Sequence, residues 1–308
     1  MCNLAIASYA RATVRPIASG VELCADGEDH RAAHASGLRA EGDAALGAAA
    51  LRRAQLDRVR LEQVSEFPRG AGLGGSSAAG VAVAAALGAW RGESMSRSEL
   101  AARSRALEVE ELRVAGGFQD HYAAAYGGAL ALTFGAEVGV QSISLSERLV
   151  RALESQCLIA YTGESRISSA TITAVLDGYR ARVPRVVAAL ARMRALAGQM
   201  IDALKRESVD ELGRLVGEHW EHQRALHEKI TTPAIDGILN AALAHGALGG
   251  KALGASGGGS VLIIASPERV DEVRAHVSPL ARLLPFVVDT KGARVTDREH
   301  AEPTAWLN

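Results

Sequence analysis

The order of segments predicts an α+β fold in two packed halves. Strand-like runs open and close the chain, and the stretch between about residues 168 and 229 is helical in period. Strands gathered at the two ends do not make the repeating βαβ order of a parallel sheet. The length of 308 residues fits one large domain or two packed halves, either of which can bury a full core.

Taken in order, Leu4 to Val14 reads as a first strand with a short continuation. From Val59 to Phe67, Arg58, Arg60 and Glu62 alternate with Val59 and Leu61, the period of a half-buried strand. A glycine-rich loop then runs into Ala78–Trp90, a stretch of strong helix formers. Ser96-Arg97-Ser98-Glu99 has capping-box spacing and opens a helix expected to reach about Leu112, before Gly116-Gly117 breaks it. Gly127-Gly128 and Ala129–Phe134 predict a turn and a strand, and Gln156–Tyr161 another strand. Pro184 starts one helix of the middle stretch, and Ser208 caps another. Thr232-Pro233 opens a further helix, with Gly246 at its C′ site. A second glycine loop is expected over 246–259, then a strand from Val261 to Ala265, a helix behind Ser266-Pro267-Glu268, and a last strand from Phe286 to Asp289.

Composition narrows the function. Hydrophobic residues make up 48% and aromatics only 4%, so the core must be built from Ala, Val, Leu and Ile. Against 34 basic residues stand 35 acidic ones, and no basic stripe marks a nucleic-acid binder. Cys2, Cys24 and Cys157 are few, far apart and odd in number, which fits a reducing cytoplasm better than a disulfide framework. No run reaches the roughly 18–20 apolar residues of a membrane span, and the N-terminus lacks the order of a signal peptide. A cytoplasmic protein is expected.

The sharpest motif is Pro68-Arg69-Gly70-Ala71-Gly72-Leu73-Gly74-Gly75-Ser76-Ser77. Its glycines permit positive φ and a close backbone approach. The helix that follows points free N–H groups and the positive end of its dipole at whatever lies in the loop, and an anion suits that place. Ser76 and Ser77 can add hydroxyls toward phosphate or Mg²⁺. The loop is not a Walker A sequence. Its other reading is a turn that lets a small-residue helix pack tightly.

Gly249-Gly250-Lys251-Ala252-Leu253-Gly254-Ala255-Ser256-Gly257-Gly258-Gly259-Ser260 is a second glycine-rich run, either a site of close backbone approach or a flexible hairpin. Between the two lies Asp120, within Gly117-Phe118-Gln119-Asp120-His121-Tyr122. A carboxylate there can accept or orient a hydroxyl proton, although an Asp in such a place is also a common helix cap. His219 and His222 stand three apart and could share an ion, but a solvated helix face is the preferred reading.

The first motif resembles the phosphate-binding Pro-x3-Gly-Leu-Gly-Ser-Ser-Ala of GHMP kinases, with Gly75 where the first serine usually stands. The second is similar to the family's Lys-x-x-Gly-x-Gly-Gly-Gly, with Ser256 in place of a glycine. The Asp120 segment resembles Gly-Lys-Gln-Asp-Gln-Tyr of the heptose 7-phosphate kinase branch, with Phe118 and His121 as departures beside the reacting hydroxyl. The resemblance implies an N-terminal half like ribosomal protein S5, 1–150, and a ferredoxin-like C-terminal half, 151–308. It implies transfer from ATP with Mg²⁺ to a small sugar or sugar phosphate, with no nucleic-acid or membrane partner, by a monomer or homodimer. Gly70, Gly72, Leu73, Gly74, Gly75, Ser76 and Ser77 would hold ATP. Ser76 and Glu110, with Glu108 in reserve, would hold the metal, and Asp120 would be catalytic. Gln119, His121, Tyr122, Gly257, Gly258 and Arg166 would meet the substrate, the last as a phosphate contact. The match runs from about Leu4 to Val295, and the family's earlier strand and Gly-rich basic motif are expected to be missing. A true loss of them would favour a pseudokinase or binding module; the rival within enzymes is another GHMP acceptor such as galactose, mevalonate or homoserine.

Overall fold

The computed structural model describes residues 1–113, 117–164 and 169–296. In chain order the elements are β1 (Cys2–Leu4), β2 (Ala10–Pro16), β3 (Val21–Ala25), β4 (Glu28–Ala32), α1 (Ala44–Ala54), β5 (Val59–Ser65), α2 (Gly75–Trp90), α3 (Arg97–Ala106), α4 (Gln119–Tyr126), β6 (Ala129–Phe134) and β7 (Val138–Ile143). They continue with α5 (Glu147–Gln156), β8 (Cys157–Tyr161), α6 (Ser169–Arg180), α7 (Pro184–Lys205), α8 (Val209–Arg224), α9 (Pro233–Ala244), β9 (Ala247–Ala252), β10 (Ser260–Ala265), α10 (Val270–Val277) and β11 (Arg282–Leu284).

The strands form three sheets, ordered β1-β6-β7, β2-β5-β3-β4 and β11-β8-β10-β9. Among the described residues only β3 and β5 run parallel, joined over α1, and every other strand pairing is antiparallel, as suits an α+β chain. β3 alternates buried and half-buried residues, and Val21, Leu23, Val59 and Leu61 pack with Leu46 and Leu51 of α1. A second core joins Leu130 and Leu132 of β6 to Val81 of α2 and Leu100 of α3. In the C-terminal sheet, Val261 and Ile263 pack with Trp220 of α8 and Ile238 of α9. Between these, Ala129 and Ala131 of β6 meet Leu196 and Met200 of α7, so the halves share a core where α5 crosses residue 150.

Local signals acted where the sequence placed them. Ser96 and Glu99 form a full capping box on α3, Thr232 caps α9, and Pro184 opens α7. Ser208 sits at the N-cap of α8 without a side-chain bond. Four expectations need correction. The run from Leu4 to Val14 is not one strand, because β1 ends at Leu4 and β2 starts at Ala10 in a different sheet. The helix behind Ser96 ends as α-helix at Ala106 and continues as a wider π turn over Leu107–Glu111. The second glycine run is a strand, β9, through Ala252, because Gly249 lets the backbone of Gly213 and Gly217 on α8 lie against it. No strand forms over 286–289, where Val288 makes a single bridge to Ile6, and the last described strand is β11. There the Val288 amide donates to Glu154 Oε1 at 2.9 Å instead of to a ladder. Cys2, Cys24 and Cys157 are free thiols. Among the described residues no helix is long and apolar enough to cross a membrane.

Candidate active site

The phosphate-loop residues turn the chain from β5 into α2. Gly72 and Gly74 hold φ of 71° and 75°, a conformation that a side chain makes strained. Gly74 is the N-cap of α2, and no side chain caps this end, so the amides of the first turn are left for a ligand. Gly75 departs from the family's serine because the ring of Phe67 occupies the place of a Cβ. Ser76 is exposed and Ser77 is buried.

The second run meets the first backbone to backbone. A Cβ on Gly72 would lie 3.1 Å from the carbonyl oxygen of Leu253, and one on Gly259 would lie 3.0 Å from that of Ala71. The hairpin of β9 and β10 therefore carries its tip onto the loop. The side chain of Gln223 on α8 holds this tip, donating from Nε2 to Ser256 Oγ at 3.1 Å and to the Gly254 carbonyl at 3.4 Å. The Gly257 amide donates to the carbonyl of Ile230 at 2.9 Å. Gly257 and Gly258, expected at the substrate, are buried in this hinge and do not line the cleft.

Asp120 stands directly behind the phosphate loop. A Cβ on Gly74 would lie 3.0 Å from the Cβ of Asp120, so only a glycine lets the loop and this carboxylate share one wall. Asp120, Gln119, Ala123 and Ala124 of α4 line a cleft of about 1790 Å³ together with Gly72, Gly74, Asn3, His219, Gln223 and Lys251. Burial holds the Asp120 carboxyl above the ordinary aspartate value, the charge of Glu108 adds to this, and His121 and Lys251 oppose it.

His121 and Tyr122, expected to touch substrate, face the other way. Helical period puts them with Ala125 on the inner side of α4, His121 1% and Tyr122 6% exposed. Tyr122 stacks on Tyr126 with ring centroids 6.0 Å apart. His121 lies with Nε2 3.1 Å from Glu108 Oε2 and Nδ1 2.8 Å from Ser104 Oγ, and the Ser104 hydroxyl donates to the carbonyl of Ser77 at 3.1 Å. The replacement of the family's glutamine thus supports the loop from beneath. Phe118, the other departure, packs on Phe134 with centroids 5.6 Å apart, under the guanidinium of Arg105.

Glu108, and not Glu110, reaches the loop. Both Leu107 and Glu108 are buried in the π turn, and Glu108 hydrogen-bonds Ser76 as well as His121. Burial pushes its pKa up, but these hydrogen bonds and the His121 charge outweigh it and hold the group below the usual glutamate value. Glu110 instead points to solvent and pairs with Arg53 at 2.8 Å. Arg166 lies outside the described residues.

Sequence reading passed over Lys251, His219, Gln223 and Asn3 as site residues. Lys251 sits in the cleft within electrostatic reach of Asp120, and desolvation pushes its pKa down to about 8, against the pull of that carboxylate. Desolvation, with the charge of Lys251, pushes His219 down to about 4. His219 is no solvated face residue, because Leu212, Val216, His219 and Gln223 form the stripe of α8 that lines the cleft. Polar residues on the inner stripe of an amphipathic helix were the available signal.

Two family descriptions match this chain: GHMP kinases N terminal domain over residues 43–128, and GHMP kinases C terminal over 200–279, together more than half of it. The chain belongs to the GHMP kinases. Among curated GHMP relatives, it is 28% identical over 207 residues to the D-glycero-alpha-D-manno-heptose 7-phosphate kinase of Campylobacter jejuni, covering 67% of this chain and 60% of that protein. It is 29% identical over 245 residues to L-fucokinase/L-fucose-1-P guanylyltransferase of Bacteroides fragilis, covering 76% of this chain and 25% of that one. The chain thus spans less than two thirds of the length of these relatives. The GHMP fold itself recurs in the crystal structure of a D-glycero-D-manno-heptose 1-phosphate kinase from Bacteroides thetaiotaomicron, with a TM-score of 0.75 at 24% identity, covering 96% of this chain and 90% of that one. Lactococcus lactis galactokinase, complexed with galactose, gives 0.75 at 16% identity over 93% of this chain and 87% of that one.

Proposed function

We propose that this GHMP kinase transfers the γ-phosphoryl group of ATP to a hydroxyl of a sugar or sugar phosphate, with a heptose phosphate as the leading acceptor. The observation that carries this reading is the contact of Gly74 with Asp120, which sets a carboxylate against the anion cradle with no side chain between them. Phosphoryl transfer asks mainly for positioning and charge neutralisation. The amides of Gly75, Ser76 and Ser77 at the head of α2 bind the triphosphate, and Asp120 takes or orients the acceptor proton. Lys251 contributes a recessed positive charge beside that carboxylate. Relatives named for heptose 7-phosphate and fucose support a sugar, while two mevalonate kinases at 27% and 29% identity keep another alcohol in the acceptor panel. Residues 1–150 would supply the nucleotide site and 151–308 the opposite wall, in a cytoplasmic protein working as a monomer or homodimer.

Mg²⁺ fits the donor set at the loop: a hydroxyl and a carboxylate, hydrogen-bonded to one another at Ser76 and Glu108, are hard oxygen ligands. No group of three or more His, Cys, Asp or Glu among the described residues could hold a metal, so waters and phosphate oxygens would have to complete the Mg²⁺ shell around Ser76 and Glu108. When bound, the ion supplies neutralisation of phosphate charge. Glu108→Gln is expected to raise the Mg²⁺ concentration for half-maximal rate by at least about 10-fold. Glu110→Gln should leave it unchanged, and the reverse order in a Mg²⁺ titration would refute the assignment.

The rate should follow a bell in pH. The raised Asp120 carboxyl becomes a base only as pH climbs above the ordinary aspartate value of about 3.9. Lys251 loses its charge as pH rises through about 8. Lys251→Arg is expected to move the alkaline limb of kcat/KM upward, and a limb that stays put removes Lys251 from the mechanism.

A coupled ADP-release assay over heptose 7-phosphate, L-fucose, galactose and mevalonate tests the activity. Turnover of mevalonate alone would defeat the sugar assignment.

A further inference from the structure

Three residues that line the cleft each hold a buried polar atom that no protein group satisfies among the described residues: Asn3 Oδ1, Gln223 Oε1 and His219 Nδ1. The other unsatisfied side-chain atoms, on His30, Gln63, Arg105, Gln156 and Ser260, belong to residues that do not line it. Buried polar atoms are nearly always paired, and leaving them dry is costly.

Which atom is left open is set by what its partner atom does. Asn3 Nδ2 donates to the Gln119 carbonyl at 3.1 Å, which leaves Oδ1 as the free end. Gln223 Nε2 donates to Ser256 and Gly254, which leaves Oε1 free in the same way. An amide oxygen only accepts, so each of these calls for an O–H or N–H donor. His219 Nδ1 adds a third open position one turn before Gln223 on α8. A neutral imidazole nitrogen donates or accepts according to its tautomer, and a hydroxyl can match either.

All three stand around the proposed reaction point. Asn3 is tied to the residue before Asp120, and Gln223 to Gly254, which packs against Gly72. His219 lies within electrostatic reach of Lys251, which is itself within reach of Asp120. The three side chains therefore share the cleft with Asp120.

We propose that Asn3 Oδ1, Gln223 Oε1 and His219 Nδ1 are the hydroxyl-reading groups of the acceptor pocket, selecting a polyol that presents at least two O–H donors beside the hydroxyl held at Asp120. The inference rests on the kinase reading and narrows it. A mono-alcohol offers too few O–H donors for these atoms.

The test compares heptose 7-phosphate, L-fucose and galactose with their monodeoxy analogues, in the wild type and in the variants Gln223→Met and Asn3→Leu. For the best acceptor, the wild type should lose about 10-fold to 100-fold in kcat/KM for at least one deoxy position. In the variant that lacks the group reading that position, the parent sugar should fall to the level of that analogue, so that the penalty shrinks to within about 3-fold, while the other variant keeps it. In Asn3→Leu, which leaves the Gln223 hold on the hairpin tip intact, the KM for ATP should stay within a few-fold, a split that a merely loosened fold would not produce. Deoxy penalties that persist in both variants overturn the proposal while sparing the activity. Sugar-induced thermal stabilisation, measured without ATP, reads the same groups apart from catalysis: the wild type should be stabilised and Gln223→Met should not. No turnover of any sugar, together with no sugar stabilisation of the wild type, overturns both readings.

Discussion

Asp120→Ala should lower kcat by about 10²-fold to 10⁴-fold, the range for removing a positioned general base. The affinity for ATP should stay within a few-fold of wild type. Asp120 sits behind the loop that binds the triphosphate, so its loss removes a group that acts on the acceptor hydroxyl and spares the amides at the head of α2. The carboxylate is held there at a cost, because burial opposes its charge and the neighbouring Glu108 adds repulsion. Removing a group whose ionisation its surroundings oppose is therefore expected to leave the melting temperature unchanged or slightly raised. Rapid-quench measurement of the transfer step, with nucleotide titration in parallel, separates the two effects. Unchanged turnover in Asp120→Ala would end the proposed mechanism.

A methyl group at Gly74 is expected to damage both halves of the site at once. The residue holds φ of 75°, and a side chain there carries strain of about 1–3 kcal/mol. The new Cβ would also lie 3.0 Å from the Cβ and 3.3 Å from the Cγ of Asp120, so the carboxylate must shift. A displacement of about 1 Å at a reacting group can cost about 10²-fold in rate. Gly74→Ala should therefore lower kcat/KM for ATP by at least about 100-fold, with both kcat and nucleotide affinity affected, in contrast to Asp120→Ala. Calorimetry with a non-hydrolysable ATP analogue reads the binding part. Gly198→Ala is the control, because that glycine lies within α7 with open space around it. Wild-type nucleotide affinity in Gly74→Ala would mean that the loop does not hold the triphosphate.

Features that arise within a few residues of chain were legible before any coordinates. Three left-handed glycines at alternate positions announce a loop that only glycine tolerates, and Gly70, Gly72 and Gly74 all have positive φ. The capping box at Ser96 and the proline start of α7 are likewise local chemistry. Asp120 was legible because its segment carries a family likeness, and the cleft receives it. Glu108 was held only in reserve behind Glu110. The two lie two residues apart on what reads as one helix, and only the π turn decides which of them faces inward. His121 and Tyr122 were misplaced for a related reason: α4 has a weak amphipathic pattern, so its sequence does not say which face meets the core.

The sequence by itself determined the strand-rich ends around a helical middle, both glycine runs, and the carboxylate set between them. These depend on backbone conformational preference and short-range periodicity, which neighbouring residues settle among themselves. Tertiary structure alone decided that Asn3, Asp120, His219 and Lys251, spread over almost the whole chain, line one cleft. It also decided that the tip of the β9–β10 hairpin rests on the loop before α2. Such convergence follows from how sheets and helices bury their apolar faces against one another, and no local pattern encodes which distant polar groups that burial will bring together.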